Sequence, residues 1–533
     1  MRTVVKIAVL AVLGAGVMAC IPGFAQRGQG TAPAPALAQN AGSAPQAAGR
    51  GVSGRAGGEK LPLLLPDDEY LRWPLPANEQ KYAKIDGHRM KGYIYEITAI
   101  SKKDRDSGHQ YWGRIAGTDA DRETAEWVLA QFKRLGLEQV RLQEFDDLPP
   151  QWFPTSWEVT VSGAGKTIPI KTAFPLYHSV GTPQTEWEPV WIGLGTPADF
   201  IGRDIKGKAV VLYGFPTPGG RDDTALENGS IQRAENGGAA AVFIVLGFPG
   251  NVTNEPTAGG TTDPAKIPIF MIGDADGTAI RSMIEKQQAP RIAARLQVEL
   301  KTGLKTASVW GVLPGMTDEN IAVMAHTDAF FEGAMDNASG MAMMLELAQH
   351  FASIPKSQRR RTMTFFTTSA HHSPSGENAS LRWIHNNRQD MFQKTALIVN
   401  CEHPSQVQTY LIQDSLVASN AVSARRWFVG GSDTLKKIVH DSFQEFGIAI
   451  YSRPEVRPGG ELGGVFQDAP SVHIIDHAFY HTDMDTPAIV PEVGLEAAGR
   501  AFAKIIDEVN KVPIADLRAL KQPGTRVTDS GSE

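Results

Sequence analysis

The stretch that most restricts the fold is Ile321–Gly340, IAVMAHTDAFFEGAMDNASG. Ile321–Ala325 is apolar throughout and of strand length, which suits a strand covered on both faces. His326, Thr327 and Asp328 fall where that strand should end. A Gly-containing loop then leads to Asp336-Asn337-Ala338-Ser339-Gly340, after which Met341, Leu345 and Ala348 recur at helical spacing, so a helix is expected from near Asn337. A buried strand feeding a helix belongs to an α/β sheet, where ligands gather at the carboxyl ends of the strands. One histidine and two carboxylates are drawn to that place. Taken alone, the stretch also fits an ordinary loop histidine, with Asp336 or Asn337 capping the helix.

The pattern recurs. Met363–Thr367 precedes His371 and His372, and Ala396–Asn400 precedes Glu402 and His403. Ser471–Ile475 precedes His477 and then YHTDMDT, Tyr480–Thr486. Helices fit between these runs, which is the βαβ signature of a mainly parallel sheet. A single strand-end histidine says little, but four strand ends rich in His, Asp and Glu point to a metal site. No HExxH, nucleophile elbow, phosphate loop or dinucleotide fingerprint competes. Cysteine is excluded as the principal ligand, because only Cys20 and Cys401 occur and neither a disulfide framework nor a Cys-rich zinc module can be built.

With 533 residues, the chain has room for more than one domain. Arg2 and Lys6 followed by the short apolar run Ile7–Ala19 read as an export signal rather than a membrane span. Cleavage before Gln26 is favoured over lipid attachment at Cys20, and an uncleaved anchor ranks third; the expected location is periplasmic or secreted. Residues 1–25 are thus read as a signal peptide, and 26–60, rich in Ala, Gly and Pro, as a tether. In 61–188, Ala125, Val128, Leu129, Phe132 and Leu135 share one helix face between Thr118 and Gly136, Val140–Phe145 alternates like a strand, and Gln151–Glu188 reads as irregular strands with loops. Residues 189–300 form a separate α/β segment with strands expected at Lys208–Tyr213, Ala239–Leu246 and Ile267–Ile272. It holds no evident titratable cluster and reads as a structural or substrate-gating insert. Residues 301–512 carry the recurring strands, and 513–533 read as a flexible tail. A formal charge of −6 with no basic block argues against nucleic acid as a partner.

HTD, AMDNASG and YHTDMDT resemble the motifs of the co-catalytic zinc exopeptidases (peptidase family 28), which include bacterial aminopeptidases, glutamate carboxypeptidase and glutaminyl cyclase relatives. RIAGT, Arg114–Thr118, and its helix resemble that family's N-terminal segment, and 189–300 resembles a protease-associated domain. The resemblance implies a three-layer α/β/α sandwich with a mostly parallel central sheet, plus that smaller inserted α/β domain. It implies one or two zinc ions, or another divalent metal, and a peptide substrate attacked by a metal-activated water. His326, Asp336, His372, Glu402 and His481 would be the metal ligands, with Asp336 bridging and Asp328 orienting His326. Tyr480 is expected beside the substrate, as a hydrogen-bond partner or as wall.

The chain departs from the family at His371-His372, where two consecutive glutamates, a general base and a ligand, are usual. His372 can still ligate zinc, and His371 is the expected base, with Glu377 as a second candidate. The exchange removes negative charge, which should weaken the second metal most. The expected function is an exported metal-dependent exopeptidase, an aminopeptidase first among them. The alternatives are a non-catalytic relative that binds peptide or a single metal, and a one-zinc acyl transferase such as a glutaminyl cyclase.

Overall fold

Ile321, Val323 and Ala325 alternate with Ala322 and Met324, and all five are fully buried. A strand of this kind needs cover on both faces. In the computed structural model of the chain it has that cover. Residues 64–518 are described, apart from 147, 216–223, 256–264, 373–378, 413–414, 451–452, 455–461, 463–468 and 477. The expected signal peptide, tether and most of the tail, as well as Glu377 and His477, lie outside the described residues.

Seven strands build the central sheet: β1 (Glu138–Phe145), β2 (Thr306–Leu313), β3 (Thr317–His326), β4 (Arg361–Thr368), β5 (Thr395–Asn400), β6 (Arg426–Gly430) and β7 (Ser471–Ile475). Their order is β6-β7-β5-β3-β4-β2-β1. The middle four, β7, β5, β3 and β4, are parallel, so their carboxyl ends share one edge of the sheet. The outer strands β6, β2 and β1 are antiparallel to their neighbours.

Helices α1 (Gly87–Asp106), α2 (Asp119–Arg134), α3 (Gly340–Ala352), α4 (Asp433–Glu445) and α5 (Glu492–Val509) share a core with Ile321, Val323, Ala325, Leu397 and Val399. Ala322, Met324 and Ile398 point the other way and pack with Leu381, Ile384, Met391 and Phe392 from two short helices, Ala379–Asn387 and Gln389–Gln393. The result is helices on both faces of one mixed sheet.

Between β1 and β2 the chain builds two more sheets. Strands 189–193, 209–214, 241–246 and 269–273 are parallel neighbours, edged by Phe174–Pro175 and carrying the helix Asp274–Glu285. Gly238 turns the preceding helix into strand 241–246 at φ +79, a conformation open to glycine. Within Gln151–Glu188, expected as irregular strands with loops, Gln151–Gly163 is one long strand paired through a bulge with Arg291–Lys301, and shorter strands follow. The long strand also pairs with the adjacent Lys166–Pro169, but its longer partner lies far along the chain, out of reach of any local pattern. The tail also differs in part: Ile514–Leu517 forms a helical turn with Leu517 fully buried.

Candidate metal centre

The four parallel strand ends meet at one carboxylate. His326 ends β3, His372 follows β4, His403 follows β5, and His481 lies in the loop after β7. His326 Nε2 is 3.0 Å and His403 Nε2 3.1 Å from Asp336 Oδ1. His372 Nε2 and His481 Nε2 are each 3.2 Å from Asp336 Oδ2. All five side chains are buried.

Asp336 reaches this point because the helix does not begin at Asn337 as the spacing suggests. Ala334–Ser339 is a π-type turn in which Asp336 (φ −110, ψ 91) and Asn337 (φ −135, ψ 34) leave helical geometry, and their peptide bond is cis. The regular helix α3 starts at Gly340. Capping falls to Asn337, whose Oδ1 accepts from Gly340 N at 3.1 Å while its Nδ2 donates to Cys401 O at 3.0 Å. Asp336 is left to face the histidines. Gly333 sets the turn at φ +56, where an added Cβ would lie 2.3 Å from Ala329 Cβ. Arg114, buried, ties down the loop before it by donating to Thr327 O at 2.9 Å, Glu332 O at 2.8 Å and Gly333 O at 3.0 Å.

Beside Glu402, expected as a ligand, the structure also brings the next residue, His403, to Asp336. Glu402 is buried one position back, and its Oε2 accepts from Asn400 Nδ2 at 2.8 Å. Strand alternation stops at Asn400. Beyond it, the left-handed backbone of His403 (φ +43) resets which side chain faces the carboxylate. His481 (φ +53) is also left-handed, as is Ala370 (φ +62) just before the His371-His372 pair. Such strain gathers at functional sites where the surroundings over-determine it.

The donor set fits zinc. Among the described residues, neither oxygen of Asp336 nor Nε2 of His372 has a hydrogen-bond partner, although all are buried. His326 Nδ1 lies 2.9 Å from the Asp328 carbonyl, and His403 Nδ1 contacts the Asp476 carbonyl. A carbonyl only accepts, so for His326 the proton belongs on Nδ1 and the Nε2 lone pair is turned toward Asp336. Lone pairs facing carboxylate oxygens at about 3 Å suit a cation between them. Tetrahedral zinc with bonds of about 2.1 Å spaces its ligand atoms by about 3.4 Å. The donor atoms of Asp336, His372 and His481 all lie within 4.8 Å of one another, as do those of His326, His371 and His372.

Two further carboxylates hold the donors. Asp328 Oδ2 accepts from His372 N at 2.6 Å, and its Oδ1 lies 3.6 Å from His326 Nδ1. Asp485 accepts from Met335 N at 2.6 Å and from Asp336 N at 3.1 Å. Burial alone would raise the pKa of Asp336, but the His372 and His326 imidazoles outweigh it and hold the carboxyl well below its usual range. His371 is half-buried, with its ring 4.5 Å from His372 and 4.8 Å from His326. Burial, then the charges of His372 and His326, push its pKa well below the ordinary histidine value. Tyr480 stacks on His481 with ring centroids 3.7 Å apart, and Phe330 closes the centre edge-on to His481 at 4.8 Å. Sequence reasoning missed the roles of His403 and Arg114, although both flank or lie within motifs it noted.

Residues 308–506 match the model of Peptidase family M28. The chain is 29% identical over 262 residues to aminopeptidase YwaD of Bacillus subtilis, covering 47% of this chain and 50% of that protein. It is 21% identical over 440 residues to the probable glutamate carboxypeptidase VP8 of Zea mays, covering 70% and 60%. The chain therefore spans half to three-fifths of the length of these curated relatives. Among solved structures it resembles BSAP, a zinc aminopeptidase from Bacillus subtilis (20% identity, TM-score 0.56, 84% of this chain and 99% of that chain). It also resembles a peptidase M28 precursor from Shewanella amazonensis (16% identity, TM-score 0.64, 83% and 98%). At these identities the likeness to solved structures is one of fold.

Proposed function

As a member of peptidase family M28 through residues 308–506, this chain is, we propose, an exported zinc-dependent exopeptidase, with aminopeptidase activity the first expectation. The observation that carries this reading is the convergence of His326, His403, His372 and His481 on the two oxygens of the buried Asp336. Residues 189–300 would be a protease-associated insert beside that centre. Export rests on the basic, then apolar, start of the sequence.

Zinc held by these residues would supply a Lewis acid that polarises the peptide carbonyl and acidifies water. The chain's own groups do the rest. Asp336 divides the histidines into two pairs, one on each oxygen. Asp328 fixes the His326 ring through its carbonyl and holds the main chain of His372 through its carboxylate. Phe330 and the stacked Tyr480 cover the His481 ring, and Tyr480 would border bound substrate. His371 does not meet Asp336 in either donor pair and stays neutral at pH 7, so its ring can accept a proton from the attacking water and return it to the leaving amine. The same low basicity makes it a weak acceptor, which favours slow turnover and keeps a peptide-binding, non-catalytic relative as the second reading.

The test is a panel of amino-acid p-nitroanilides and dipeptides, assayed with zinc and after chelation. Chelator-sensitive release of N-terminal residues supports the proposal. Zinc-loaded, folded protein that binds peptides but turns none over favours the second reading and overturns the first.

A further inference from the structure

Glu255 belongs to the 189–300 segment, in which the sequence suggested no titratable group of interest. Its side chain is buried, and Oε2 lies 3.2 Å from His481 Nδ1, an ion-pair contact that is close but not aligned as a hydrogen bond, on the opposite side of the ring from the Nε2 that faces Asp336. The contact is not isolated. Glu255 N donates to His481 O at 2.9 Å, Asn254 Nδ2 donates to His481 O at 3.2 Å, and Asn254 forms a β-bridge with Thr482. Thr253 N donates to Asp483 Oδ1 at 3.1 Å, and Asp483 N donates to Thr253 O at 3.0 Å. Residues 253–255 therefore grip both ends of the turn that presents His481. That turn carries the left-handed His481 backbone (φ +53), which persists only where neighbours enforce it.

We propose that Glu255 is a positioning residue of the metal centre. Its carboxylate fixes the His481 ring so that Nε2 meets the metal on the Asp336 Oδ2 side, and the 189–300 segment thereby completes that half of the site. The inference rests on the zinc reading above. A carboxylate on the far nitrogen sets the tautomer, stops ring rotation and raises the basicity of the ligating nitrogen. It also adds negative charge to a half whose direct donors are two imidazoles and one shared carboxylate oxygen. Asp328 gives His326 similar support from within the central sheet, whereas for His481 the support comes from the insert.

The test is Glu255→Gln and Glu255→Ala in the otherwise intact protein. Zinc affinity and stoichiometry are read by chelator competition and elemental analysis, and the donor environment by the visible spectrum of the cobalt-substituted protein. Glu255→Gln keeps the shape of the side chain and the main-chain grip of 253–255, so the metal-free protein should melt as the wild type does. The weaker zinc should lose about 10–100-fold in affinity, with more lost in Glu255→Ala and an altered cobalt spectrum in both. Wild-type stoichiometry, affinity and spectrum in both variants would overturn the role of Glu255 while leaving the zinc centre standing. A wild-type protein that takes up no zinc would overturn the centre, and this role with it.

Discussion

Whether His403 or Glu402 holds metal beside Asp336 can be decided by a pair of substitutions. His403→Asn suits the position, because asparagine tolerates the left-handed backbone (φ +43) and its side chain is too short to bring a donor to Asp336 Oδ1, now 3.1 Å from His403 Nε2. Structural zinc sites with four protein ligands bind with roughly 10–16 kcal/mol, or about 2.5–4 kcal/mol per ligand. At about 1.4 kcal/mol per tenfold, losing one ligand should weaken the zinc shared by His326 and His403 by about 10²–10³-fold. The zinc between His372 and His481 should change far less. Glu402→Gln keeps an oxygen for Asn400 Nδ2, now 2.8 Å away, and should cost less than about tenfold by comparison. The assay is competition with a chromogenic chelator, checked by metal content after dialysis. If Glu402→Gln loses one zinc and His403→Asn keeps both, the reasoning from geometry is refuted and the sequence reading restored.

Two further outcomes are expected. Asp121, buried and accepting from Gly117 N, Thr306 Oγ1 and Ser369 Oγ, has its pKa raised by burial from 3.8 to about 7. Its folded form holds a proton more tightly than its unfolded form, so its contribution is fully present below about pH 4 and is lost as pH rises through about 7. Asp121→Asn should match wild-type stability at pH 4 and exceed it by up to about 4 kcal/mol at pH 8, and a gap that does not change with pH in denaturation series would contradict this. Arg114→Met should cost about 3–5 kcal/mol, because it strands the buried carbonyls of Thr327, Glu332 and Gly333; a urea-unfolding loss under about 1 kcal/mol would show that the loop does not depend on the guanidinium.

Short apolar runs made the parallel strands legible. Ser471–Ile475 is the observed strand, and the other three extend the expected runs by a few residues. Burial on both faces writes such strands as unbroken apolar sequence. The antiparallel strands were harder, since β6 and Gln151–Gly163 are defined by partners remote in sequence. At the site, the motifs singled out His326, Asp336, His372 and His481, which the fold brings together. Where the chain leaves regular strand geometry, counting positions stops working. His403 was passed over for Glu402 because a left-handed residue follows the strand, and Glu255 was invisible because only tertiary contact brings it to His481.

The His371-His372 pair changes the electrostatic character of the centre more than its shape. Among the described residues Asp336 is the carboxylate that the four imidazoles face, so two zinc ions bound there, with the imidazoles neutral, would bring a net charge near +3 into a buried space. Such a charge is held only if acids stand close by in poorly screened surroundings. Asp328, Asp485, Glu255 and Glu402, whose charge acts on His403, are such acids. Asp328 reaches His326 and the main chain of His372, Asp485 the main chain of Asp336, and Glu255 the ring of His481. Negative charge missing from the inner ring of donors would thus be supplied one contact further out, by acids that burial pushes up, Asp485 to about 7 and Glu255 likewise upward, until bound cations draw off their protons. Metal affinity should depend on these outer residues more steeply than in a centre whose own donors are anionic. Neutralising two of them together should cost more than the sum of the single changes, because each removal leaves the remaining acids to offset the same cations.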